Sequence, residues 1–289
     1  MSIVRICRYA LVGLTWVVAA FFVQPDGNLA RQNPDAQTLA QIQAREAFDQ
    51  GLQAFKNGQY QEAIQQFSRA KQLDPKLIDA RLYLATSYAS QFISGAPSEE
   101  NRQKGEAAIA EFRELLNIQP GNVTAIDGIG SLLFQMAGQP FDRDKFAESK
   151  SFHLRHITLR PQDPEPYYWV GVIDWTLSFL ADRELRAEFN QHARGDEQLG
   201  EADALPAGLR EQYRHQYGTV IGEGIESLKH AIELRADYDD AMAYLNLLYR
   251  RKADAVAQES ERAELTAVAD EWLDKIKEIK QKRMAPQPQ

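Results

Sequence analysis

His153 and His156 stand three residues apart. On a helix both imidazoles would project from one face, where they could ligate a metal ion or a haem. The same two residues also fall where helix packing needs side chains, so core or groove packing is the competing reading. HExxH is absent and no second ligand cluster lies nearby in sequence. His192, His215 and His230 are scattered and read as solvated. Asp239-Asp240 matches a common helix start, where carboxylates satisfy free N–H groups, more closely than an acid/base pair. Asn122-Val123-Thr124 is a glycosylation sequon, of consequence only in a eukaryotic secretory route. There is no GxxxxGK[ST] phosphate loop and no GxSxG elbow, and Gly128-Ile129-Gly130 lacks both a third glycine and a preceding strand. The single cysteine, Cys7, excludes an internal disulfide framework and any CxxC site. These residues predict a protein that is not an enzyme and carries no cofactor and no resident metal.

The elements that would have to position any site are helices. Of 289 residues, 44% are hydrophobic and 26% charged, which suits a largely folded chain. Lys and Arg number 33 against 41 Asp and Glu, a net charge of -8, so a nucleic-acid partner is not expected. Arg5 and Arg8 precede an apolar run from Ala10 to Val23. Residues 1–30 read as a secretory signal peptide cleaved at Ala20 or Ala30, or as an uncleaved membrane anchor through 10–23; a buried helix of the fold is the third reading. Residues 31–43 read as a linker and 283–289 as a disordered tail.

From Ala44 the chain reads AREAFDQGLQAFKNGQYQEAIQQFSRAKQLDP. Phe48, Gly51, Leu52 and Phe55 recur at the spacing of a helix face, Asn57-Gly58 breaks the chain, and Ala63, Ile64, Phe67 and Ala70 line a second helix. Small Gly51 and Ala63 would let the two helices approach closely, and Asp74-Pro75 ends the pair. Gly51, Gly58, Tyr60, Ala63, Phe67, Ala70 and Pro75 fall at the spacings of a tetratricopeptide repeat (TPR), and the segment resembles one such unit. Pro75, Pro120, Pro161 and Ala236 end successive units in phase. The resemblance implies an all-α, right-handed TPR solenoid of about five helical hairpins over 44–282, with units near 44–77, 78–122, 123–163, 164–238 and 239–282. Ser149, His153 and His156 replace the Ala, Phe and Ala expected in the third unit, and Gly224 replaces an Ala in the fourth.

Insertions fall between the paired helices. The largest, about 178–222, predicts two long helices projecting from the solenoid, joined by a polar, mobile tip from His192 to Leu205. Leu265, Val268, Trp272, Ile276 and Ile279 make one apolar stripe on the last helix, opposite Lys275, Lys277, Lys280, Lys282 and Arg283. That basic face reads as solvated capping of the array, with attachment to anionic lipid as the alternative.

In TPR proteins the first helices of successive hairpins line a concave groove. The resemblance places Phe48, Leu52, Phe55, Tyr83, Thr86, Asp127, Ser131, Phe134, Tyr168, Trp169, Val172, Trp175 and Tyr244 there. These are mainly aromatic and aliphatic groups, which suit an apolar or helical segment of a protein or peptide partner and disfavour capture of a terminal carboxylate. Some of them could instead fill space between hairpins. The functional expectation is a non-catalytic adaptor or assembly scaffold, periplasmic or secreted in a bacterial envelope. The alternatives are a structural subunit anchored in the inner membrane with its solenoid outside the cytoplasm, and a metal or cofactor carrier using His153 and His156.

Overall fold

Five successive hairpins make up the fold of this computed structural model, which describes residues 39–284 apart from Gln139 and Ala202. The leader and anchor readings, the apolar run 10–23 and residues 285–289 of the expected tail lie outside the described residues, whereas Arg283 and Met284, also expected in that tail, belong to the last helix. The hairpins are α1 (Leu39–Lys56) with α2 (Tyr60–Leu73), α3 (Ile78–Gln91) with α4 (Glu99–Ile118), α5 (Val123–Met136) with α6 (Arg143–Leu159), α7 (Pro164–His192) with α8 (Ala207–Leu234), and α9 (Asp239–Ala255) with α10 (Glu259–Met284). Each helix packs on the next; among the first helices α1 touches α3, α3 touches α5 and α7 touches α9, while α5 meets α7 through the rings of Phe134 and Trp169. Among the described residues no helix is long and apolar enough to cross a membrane. Helix α1 begins at Leu39, so residues 39–43, expected as linker, belong to the first hairpin.

Close approach of paired helices explains the small residues. A Cβ at Gly51 would lie 2.7 Å from the Phe67 ring, and one at Gly171 would lie 2.3 Å from Leu228 Cγ. Ala63 and Phe67 are fully buried beside the first contact. Gly58, at φ +74°, makes the turn between α1 and α2 in a region that favours glycine. Side-chain caps open the middle helices: Asn122 Oδ1 accepts from Ala125 N at 3.0 Å, Asp142 from Lys145 N at 3.0 Å and Asp163 from Glu165 N at 3.0 Å. Asp239 and Asp240 do not cap α9, whose N-cap Tyr238 has no side-chain cap bond. Asp239 instead pairs with Arg283 Nη1 at 2.9 Å, tying the start of α9 to the end of α10. Carboxylates in a first turn are favoured there by the helix dipole without any capping bond.

The long hairpin is larger than a repeat requires. Helices α7 and α8 have 29 and 28 residues, each about 42 Å long at 1.5 Å per residue. Down the middle of α7 runs a buried polar stripe at four-residue steps: Asp174, Ser178, Asp182 and Arg186. Each member finds a partner on another element. Lys150 Nζ of α6 donates to Asp174 Oδ2 at 2.9 Å and to Glu223 Oε2 of α8 at 2.7 Å. Tyr213 Oη of α8 donates to the Ser178 carbonyl at 3.0 Å. Asp182 Oδ2 accepts from Arg186 at 2.9 Å and from Arg251 of α9 at 3.1 Å.

The tip is held to this stripe. Arg186 Nη1 donates to the carbonyls of Gly200 and Asp203 at 2.8 and 2.9 Å, and Asn190 exchanges two bonds with the backbone of Leu199. Leu205 is buried beneath it. Polar residues of the preceding helix thus satisfy backbone groups at Leu199, Gly200 and Asp203, a tie that the polar composition of the tip does not reveal.

Candidate protein-binding face

Aromatic residues from successive first helices meet on the side of the array where those helices touch. Toward the N-terminal end, Tyr83 of α3 stands 5.7 Å from Phe48 and 5.8 Å from Phe55 of α1, in edge-to-face geometry. Toward the C-terminal end, Phe134 of α5 meets Trp169 of α7 at 5.6 Å, Tyr168 meets Tyr244 of α9 at 5.8 Å, and Trp175 meets Tyr244 at 5.3 Å. Such ring pairs add roughly 0.5–1.5 kcal/mol beyond area burial, so they also hold neighbouring units together.

The two clusters differ from the expected continuous groove in depth and in the stretch between them. Phe48, Val172 and Trp175 are only 5%, 2% and 8% exposed. Their rings and methyls are core, covered by the next helix, and offer almost nothing to a partner. Leu52, Phe55, Tyr83, Phe134, Tyr168, Trp169 and Tyr244 are half-buried and keep accessible edges. Between the clusters the groups are polar: Thr86, bonded to its own helix at 2.8 Å, Asp127 and Ser131. Burial, with Tyr244 and the nearby carboxylates Asp240 and Glu165 adding to it, pushes the Tyr168 hydroxyl well above its ordinary range, so it stays neutral. Burial foremost, then Asp79, also raises the Tyr83 hydroxyl above its ordinary value.

His153 and His156 lie just behind this face. A Cβ at Gly130 would lie 2.8 Å from His153 Nε2, so His153 stands where Phe67 and Leu228 stand against Gly51 and Gly171. Its ring stacks on Trp169 at 5.8 Å with an 11° tilt, and it is 1% exposed. Neither ring nitrogen has a hydrogen-bond partner among the described residues. Asp127 Oδ1 comes within 3.9 Å of its Nδ1, beyond hydrogen-bonding reach. Burial, with His156 nearby as a lesser cause, holds the imidazole down to about 3, so it is neutral. His156 is bonded through Nδ1 to Asp127 Oδ1 at 2.8 Å, and its Nε2 lies 3.4 Å from Asp163 Oδ2. Among the described residues no group of three or more His, Cys, Asp or Glu is placed to hold a metal ion. The packing reading fits this geometry: the pair fills the core of the third unit. His230 is bonded to Glu233 and lies against the Tyr167 ring, 4.5 Å between centroids.

Sequence reasoning passed over the charged residues of the long hairpin. Asp174, fully buried, is pushed up to about 7, chiefly by burial; Lys150 opposes this and Glu223 adds to it. The available signal was the four-residue spacing of Asp174, Ser178, Asp182 and Arg186 inside an otherwise apolar helix.

A family profile described as Tetratricopeptide repeat matches residues 44–77. No curated protein matches the sequence. Among solved structures, the chain is similar to one described as the crystal structure of MamA protein, with a TM-score of 0.56 and 15% identity, over 85% of this chain and 98% of that one. It is similar also to MamA 41-end from Desulfovibrio magneticus RS-1, with a TM-score of 0.55 and 13% identity, over 84% and 98% of the two chains. At these identities the likeness speaks to the fold. With a matching first unit, five hairpins in phase and small residues at the close approaches, the chain has the fold of a tetratricopeptide-repeat solenoid.

Proposed function

We propose that this protein is a non-catalytic adaptor whose first-helix face takes an apolar or helical segment of a partner protein, and that it works in the bacterial envelope. The observation that carries the reading is the pair of half-exposed aromatic clusters, Phe55–Tyr83 and Phe134–Trp169–Tyr168–Tyr244, contributed by first helices of successive units. Rigid aromatic edges bury large area at low entropic cost, which suits them as anchors for a partner. The polar gap at Thr86, Asp127 and Ser131 would then face the middle of the bound segment. The basic start and apolar run at 10–23 support an exported protein, cleaved or anchored.

A photo-crosslinking residue at Ser131, between the clusters, tests this against one at Ala147, exposed on the second helix α6. The expected outcome is a discrete partner adduct from Ser131 in native envelopes, reduced at least about tenfold by Trp169→Ala. Adducts from Ala147 alone would overturn the groove. Cell fractionation with intact-mass analysis tests the location: protein in the cytosol with its first 30 residues intact would overturn the envelope assignment.

A further inference from the structure

The distal half of the long hairpin, beyond Trp175, carries an open trough that belongs to neither aromatic cluster. It follows the seam between α7 and α8 as two adjoining hollows of about 380 and 210 Å³, which share Leu185, Glu188 and Gln212. Phe189 and Leu209, half-buried, give the larger hollow its accessible apolar surface; Leu185 and Tyr217 lie beneath, each 8% exposed, and the smaller hollow is lined mainly by polar groups. The rim is acidic, with Glu184, Glu188 and Glu197 exposed along it. Arg143 at the lower end is already paired with Glu184 at 2.6 Å. Among the described residues Glu188 has no hydrogen-bond or ion-pair partner. The adjoining tip adds Glu201 and Asp203 to Glu197, against Arg194.

We propose that this trough is a second docking surface, and that it takes a basic amphipathic helix of a protein partner. The stripe Ala181, Leu185, Phe189 on α7 advances by four residues per step, so the trough is a groove parallel to a helix axis. From Ala181 to Ala193 it runs about 18 Å, the length of roughly twelve helical residues. A helix laid there buries an apolar face on Phe189 and Leu209, and flanking Lys or Arg side chains reach the carboxylates of Glu188 and Glu197. Apolar anchoring would set affinity, and the acidic rim would select the sign of charge and speed the encounter. An acidic helix would meet the unpaired Glu188 and be rejected. The site is separate from the first-helix face, so an adaptor could hold two segments at once.

The probe is a fluorescent fourteen-residue peptide with Leu at i, i+3, i+4 and Lys elsewhere. Its comparators are the same peptide with Glu for Lys and a scrambled sequence of identical composition. The expected result is saturable binding of the first peptide only, weakened at least about tenfold by Glu188→Lys or Glu197→Lys. Ala193→Phe, which fills the trough and leaves its charge intact, should weaken it comparably. Glu46→Lys, exposed on α1 at the other end of the array, should cost under about threefold through net charge alone. Circular dichroism and melting temperature should be unchanged in every variant, since these side chains lie at the surface. Absence of binding at about 1 mM peptide, equal binding of the scrambled peptide, or equal losses from Glu46→Lys and Glu188→Lys would each overturn the proposal. The readout uses no groove residue, so failure here leaves the first-helix face untouched.

Discussion

His153 closes over Gly130 so tightly that a Cβ on the glycine would lie 2.8 Å from its Nε2. The ring is a phenylalanine substitute: buried to 1% exposure, stacked on Trp169, with neither nitrogen bonded among the described residues. His153→Phe should therefore raise stability at pH 7 by about 1–2 kcal/mol, because unpaired buried polar atoms are removed. Gly130→Ala should lower it by about 1–3 kcal/mol. Urea titrations check both, and a His153→Phe loss above about 1 kcal/mol would mean that the imidazole does more than fill space.

His153 and Asp174 should pull acid stability in opposite directions. The folded His153 is held down to about 3 from 6.5, so its stabilisation is present above 6.5 and lost as pH falls toward 3. The folded Asp174 is pushed up to about 7 from 3.8, so its protonated form stabilises below 3.8 and that gain is lost as pH rises through 7. Between about pH 4 and 6.5 the two nearly cancel, each proton difference being worth about 1.4 kcal/mol per pH unit. Asp174→Asn should steepen the loss of stability on acidification, and His153→Phe should flatten or reverse it. Denaturant midpoints at pH 6.5, 5 and 4 give the slopes; parallel slopes in all three proteins would refute the assignment.

Gly51→Ala and Ala63→Trp should each destabilise the first hairpin by about 1–3 kcal/mol or more, since a Cβ at Gly51 meets the Phe67 ring at 2.7 Å and Ala63 has no exposed surface. The damage should stay near α1 and α2, because a solenoid is stabilised by nearest-neighbour contacts. Hydrogen exchange, resolved by segment, would show loss of protection there and little change in α9 and α10.

Trp175 and Trp169, six residues apart on α7, should separate by function. Trp175, 8% exposed and stacked on Phe179 at 5.1 Å, is core, and Trp175→Ala should cost about 3–5 kcal/mol. Trp169 keeps an accessible edge, so Trp169→Ala should cost less in melting temperature and more in partner capture. Equal falls in melting temperature would place both rings in the core.

Hairpin phase was legible because it is written in small residues and helix stops: Gly51, Gly130 and Gly171 mark the close approaches, and Pro75, Pro120 and Pro161 the ends. Phase gives the direction of a side chain but not its depth, so Phe48 and Trp175 were assigned to the face although the next helix covers them. The polar stripe was illegible for a different reason. Val170 to Trp175 is apolar nearly all round, so the pattern reports only a buried helix, and the partners Lys150, Tyr213 and Arg251 come from three other helices. The bonds that tie the tip back come from Arg186 and Asn190, which belong to the helix before it.

The buried charges of α7 also decide what can be cut from this chain or transplanted. An insertion that merely projected could be trimmed back to a standard repeat, or swapped between homologous arrays as a cassette. Here excision of 178–222 would take Asp182 away from Arg251, which lies in the next repeat and also pairs with Asp254 at 2.8 Å. The cut would also strip Tyr213 from beside Arg251, so the fifth hairpin would lose both an ion-pair partner and part of its cover. A workable graft boundary therefore encloses both α7–α8 and α9.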